Sequence, residues 1–77
     1  MNQYMPLAMV SPGEVVTVVD VRAGRGLQRR LADMGLLPGV QIRIINNQMA
    51  GPIIIDLRGA RLVLGRGMAH KIMVREV

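Results

Sequence analysis

The side chains able to make or break bonds are few in this chain and far apart. Ser11 is the only serine, His70 the only histidine, and there is no cysteine. The carboxylates are Glu14, Asp20, Asp33, Asp56 and Glu76, no two of them close in sequence. A Ser-His-Asp relay needs a serine oriented by its surroundings, and Ser11 precedes Pro12 in a turn that orients nothing. Transition-metal sites draw on several histidine, cysteine or carboxylate ligands. His70 could join one only with distant carboxylates or across an interface between copies, and reads more simply as a polar residue on a helical turn. No catalytic residue, no metal ligand and no cofactor is therefore assigned.

Arginine outnumbers lysine nine to one, and the formal charge is +5. Guanidinium groups suit planar contacts to carboxylate or phosphate, so the charge hints at an anionic partner. The basic residues form no block of like charge. Gly24-Arg25-Gly26 ahead of a helix has the outline of a phosphate cradle. Arg29 occupies the next glycine position of that motif, however, and no parallel βαβ unit follows. The segment reads better as a loop needing φ > 0 to enter the helix, and Gly65-Arg66-Gly67 as a break in a strand. Recognition of single strands and RNA leans on aromatic stacking. Tyr4 is the one aromatic residue, so specific nucleic-acid readout is not expected. The seven methionines are spread along the chain and read as core filling.

These residues must be held by a small scaffold. Residues 1–77 are read as one domain. Hydrophobic residues make up 51% of it and aromatics 1%. The core is thus built from Val, Ile, Leu and Met, a set that favours strands. The missing cysteine fits a reducing compartment. Met1 to Val10 lacks the positive start of a signal peptide, and Pro6 interrupts its apolar run. No apolar run reaches the roughly 18–20 residues of a membrane span. A cytoplasmic protein is expected.

Tyr4 to Val10 reads as an apolar lead-in and Ser11-Pro12-Gly13 as a turn. Val15 to Val21 is a strand whose apolar positions do not alternate, which implies burial on both faces or a bulge. Val40 to Ile44, Ile53 to Arg58, Arg61 to Leu64 and Lys71 to Arg75 complete a set of five strands. Gly59 closes the hairpin between the third and fourth, and Met68-Ala69-His70 has room for one helical turn. Five short strands broken by Gly and Pro predict a small all-β barrel, whose closure would remove exposed edges.

Between the first two strands lies one short helix. Leu27, Leu31 and Met34 recur at i, i+4 and i+7 and share a face. Gly35 sits where a helix end needs a left-handed residue, with Leu36 able to supply the apolar contact of such a stop. Pro38-Gly39 presets a turn. Some of these apolar residues plug the barrel, and others can project with a basic rim. Arg29, Arg30, Met34, Leu36 and Leu37 are the candidate partner-binding residues.

The run Arg30-Leu31-Ala32-Asp33-Met34-Gly35-Leu36-Leu37-Pro38-Gly39 resembles the ferrous-iron transport protein A family. So do Gly51-Pro52-Ile53, Arg58-Gly59, Leu62-Val63-Leu64 and Ala69 to Val74, and the likeness covers nearly the whole chain. Met34 stands where leucine is commoner, and Gly24-Arg25-Gly26 replaces a frequent Gly-Gly. The resemblance implies an SH3-like barrel. It also implies a small cytoplasmic accessory that binds the cytoplasmic G-domain portion of the membrane ferrous-iron transporter and influences transport. Contact with the membrane is then expected only through that partner, and weak self-association is a secondary expectation. The same domain type ends iron-dependent transcriptional repressors. The alternative is therefore a freestanding regulatory domain acting on a transcription factor or nucleic acid. With so few ligands, the chain is expected to act by contact and to bind iron only weakly.

Overall fold

Alternation at period two builds most of this molecule. The computed structural model describes residues 3–48 and 50–77. Strand β1 (Tyr4–Pro6) leads into a 3-10 turn (Leu7–Met9), and β2 (Val15–Val21) precedes helix α1 (Arg25–Asp33). There follow β3 (Gln41–Asn47), β4 (Ile53–Leu57), β5 (Ala60–Leu64), the single-turn helix α2 (Arg66–Ala69) and β6 (Ile72–Glu76). All pairings are antiparallel, in the order β1-β6-β2-β3-β4-β5. The outcome is an all-β, SH3-like architecture of six strands.

The inner face is aliphatic. Ile42 and Ile44 of β3, and Ile53, Ile55 and Leu57 of β4, are buried at alternate positions. Val40, just ahead of β3, and Leu62 of β5 are only half-buried. On β2 the consecutive residues Val16, Thr17 and Val18 are all buried, and the register with β6 shifts between Val18 and Asp20. Central placement and a bulge together explain the broken alternation. Leu7, Leu31, Leu36 and Ala69 fill the core from the turns and helices. Each fully buried aliphatic side chain contributes about 1.5–3 kcal/mol of transfer free energy.

Several expectations change. The lead-in contains a strand, β1, that three residues and a proline hid from any periodicity test. β3 runs past the apolar stretch ending at Ile44 and includes Asn46 and Asn47. Among the described residues no ladder closes the sheet, and β1 and β5 are its two ends. Methionine is less of a core filler than expected. Met73 is buried and Met5 and Met68 pack against the core, but Met9 and Met34 are exposed. Met1 and Met49 lie outside the described residues. Gly24 caps α1 with ordinary negative φ, so the helix entry needs no left-handed residue.

Left-handed backbone is used elsewhere. Gly35 (φ +95°) ends α1 in a Schellman arrangement. Its N–H donates to the Ala32 carbonyl at 2.9 Å, and the Leu36 N–H to the Leu31 carbonyl at 2.9 Å. Leu31 and Leu36 meet in the core as that motif prefers. Leu37-Pro38-Gly39-Val40 is then a turn with Gly39 at φ +94° and the Val40 N–H donating to the Leu37 carbonyl at 3.1 Å. The Gly39 N–H donates to the Val18 carbonyl at 2.7 Å, pinning the turn onto β2.

Candidate functional site

One short helix and the turn after it form a groove against β2. Leu31 is the only fully buried residue of α1, and the half-buried Leu27 packs against the core on the same helical face. Gln28 reinforces this packing from the other side, its Nε2 donating to the carbonyls of Val21 and Ala23, each at 3.0 Å. Between these anchors Arg25, Gln28, Arg29 and Ala32 recur at helical spacing and line one wall of the groove. Asp20 and Val21 of β2 line the facing wall, and Leu36, Leu37 and Pro38 the end. The groove holds about 470 Å³.

The five expected contact residues fall into three places. Arg29 and Leu37 line the groove, and Leu37 is 48% exposed. Arg30 and Met34, four residues apart, share the adjoining flank of the helix and are also exposed, Met34 at 39%. Leu36 is corrected: it is 1% exposed and belongs to the core, touching the groove only at its end. The Schellman stop explains this, since the residue after the left-handed glycine is turned back toward the last helical turn. Arg30, in that last turn, also complements the negative end of the helix dipole.

Sequence reasoning missed Asp20, Arg25, Gln28 and Pro38. Arg25 and Gln28 were legible from helical spacing to Arg29 and Ala32. Asp20 was not, because the β2 bulge aims it. Its Oδ1 accepts the Val21 N–H at 2.8 Å.

A second polar cluster lies at another corner. Arg66, on α2, donates from Nε to the Gly51 carbonyl at 3.2 Å and from Nη2 to Asn47 Oδ1 at 2.8 Å. Nη2 also faces the Gln48 carbonyl. Asn47 Nδ2 donates in turn to the carbonyls of Ala8 (3.0 Å) and Val10 (2.7 Å). This network ties the β3–β4 loop, the 3-10 turn and α2 together by satisfying backbone acceptors. His70 is exposed at the end of α2 and shares a shallow cleft with Met9 and Arg66. Among the described residues, no three His, Cys, Asp or Glu side chains gather where they could hold a metal ion.

The groove is thus mostly apolar, with guanidinium groups along one wall, and it is carried by an SH3-like barrel. Sequence comparison gives the family: the FeoA domain model matches residues 5–76, and the chain belongs to that family. A Methanocaldococcus jannaschii relative named "Putative Fe(2+) transport protein A" is 44% identical over 71 residues, covering 92% of this chain and 85% of the relative. The crystal structure of an iron uptake regulatory protein, FeoA, superposes with a TM-score of 0.91 at 36% identity, covering 97% of this chain and 100% of that one. A manganese-dependent transcriptional repressor shares the fold with a TM-score of 0.88 at 23% identity, this chain spanning 44% of its length. No helix among the described residues is long and apolar enough to cross a membrane.

Proposed function

We propose that the chain is a small accessory protein of ferrous-iron uptake that acts by contact. Its partner is the cytoplasmic G-domain portion of the membrane ferrous-iron transporter, and binding modulates transport. The protein then works in the cytoplasm and meets the membrane only through that partner. Family membership and the name of the M. jannaschii relative support the iron-uptake setting. The observation that carries the contact is Leu37, a leucine left 48% exposed at the end of a groove walled by Arg25 and Arg29. An aliphatic anchor ringed by guanidinium groups fits an acidic, apolar-centred patch.

The test is calorimetric titration of the transporter's cytoplasmic domain with native protein, Leu37→Asp and Arg29→Glu. Both positions are exposed or line the open groove, so the variants keep the fold, which thermal melting checks. The expected result is binding by the native protein and loss of at least tenfold affinity in each variant, about 1.4 kcal/mol. Undiminished binding in both variants would place the contact elsewhere. Absence of binding by native protein would favour the alternative, a freestanding regulatory domain acting on a transcription factor.

A further inference from the structure

The two ends of the sheet are not equally protected. At one end β1 is three residues long and finishes in Pro6, which has no N–H to offer. At the other, β5 has five residues, no proline and no register shift against β4, its one ladder partner among the described residues. Bulges occur in the β2–β6 and β3–β4 ladders but not here.

The β4–β5 turn fixes which groups face outward. Leu57 pairs with Ala60 across Arg58 and Gly59, both at positive φ (52° and 88°), as a type I′ hairpin requires. A two-residue turn is closed by a hydrogen-bonded pair, and bonded and non-bonded pairs alternate along the ladder. Ala60, Leu62 and Leu64 therefore spend their main-chain groups on β4. Arg61 and Val63 turn theirs to the open edge. Their side chains lie on the outer face: Arg61 is exposed, opposite Asp56, and Val63 is 63% exposed, opposite Ile54.

We infer that β5 pairs antiparallel with β5 of a second copy, about a two-fold axis at Leu62. Parity leaves few registers, since only Arg61 and Val63 have outward main-chain groups within the strand. Centring on Arg61 sets two arginines face to face, which is unfavourable. Centring on Val63 sets Arg61 against Gly65, beyond the strand. Centring on Leu62 sets Arg61 of each copy opposite Val63 of the other and makes four main-chain hydrogen bonds. Each Arg61 then lies between its own Asp56 and an aliphatic neighbour, so the charge is compensated within the row. Two strands this short bury less than the roughly 1,200 Å² of a stable interface, so the dimer forms only at high concentration. No residue of β5 lines the groove beside α1, and the pairing does not depend on the function proposed above.

Sedimentation of the native protein and of Val63→Glu and Val63→Lys over a wide concentration range tests the pairing and its register. Glutamate at 63 meets the partner's Arg61 twice and tightens association by about tenfold, whereas lysine meets it with like charge and abolishes association. Hydrogen exchange at the Arg61 and Val63 amides of the native protein slows as the dimer forms. The inference is overturned by a native monomer at every concentration, by glutamate weakening association as lysine does, or by unchanged exchange at those amides.

Discussion

At the corner where α2 meets the β3–β4 loop, Arg66 and Asn47 are bonded to each other and give their remaining hydrogen bonds to main-chain carbonyls. At the end of α1, Arg29 stands exposed in the groove with Leu37 and Arg30 on the adjoining flank, and the helix is fastened by Leu27, Leu31 and Gln28 instead. The two regions use the same residue types for opposite ends. A half-buried guanidinium that bonds a neighbouring side chain and loop carbonyls is part of the fold, and removing it deprives those acceptors of their partner. An exposed guanidinium beside an apolar groove costs the monomer little when changed and is available to a partner. Residue type alone does not separate the two, but the hydrogen-bond partners do.

The adjacent leucines draw the contrast most sharply. Leu36→Ala empties a core site and lowers stability by about 2–5 kcal/mol. Leu37→Ala stays within about 0.5 kcal/mol. Chemical denaturation of both variants checks this, and equal losses would erase the distinction between core and groove. Arg66→Ala loses about 1–3 kcal/mol, and a double-mutant cycle with Asn47→Ala shows coupling, while Arg30→Ala changes stability by less than about 0.5 kcal/mol. Gly35→Ala loses about 1–2 kcal/mol, because φ is +95° and the new Cβ would sit 2.9 Å from Leu57 Cδ2. Its thermal melt falls while the groove's exposed side chains are unchanged. A gain in stability is expected at an arginine of neither region. Arg58 holds φ 52° in the β4–β5 turn, and Arg58→Asn raises stability by about 0.5–1 kcal/mol.

Most of the barrel was legible in the sequence because β2 to β6 each carry enough apolar residues to show a pattern. Gly35 and Pro38-Gly39 were legible for a different reason, since few residues tolerate those backbone angles. What escaped depends on contacts between distant segments. β1 is recognisable only once β6 lies beside it, and Asn46 and Asn47 extend β3 by pairing with Ile54 and Ile53 of β4, while the Asn47 side chain serves the carbonyls of Ala8 and Val10. Open sheet ends at β1 and β5 likewise follow from strand order, which alternation does not encode. In the candidate site, the basic and apolar membership around α1 was readable. The split between Leu36 and Leu37 was not, because it turns on which way the chain leaves the Schellman stop.

The central claim is that the end of α1 is a contact surface while the Arg66–Asn47 corner is architecture. Amide shift mapping of isotopically labelled protein during titration with the transporter's cytoplasmic domain tests both halves together. The largest perturbations are expected along α1 and the Leu36 to Gly39 turn, with Asn47 and Arg66 unmoved. Perturbations centred on Asn47, Arg66 and His70, with α1 silent, would contradict it.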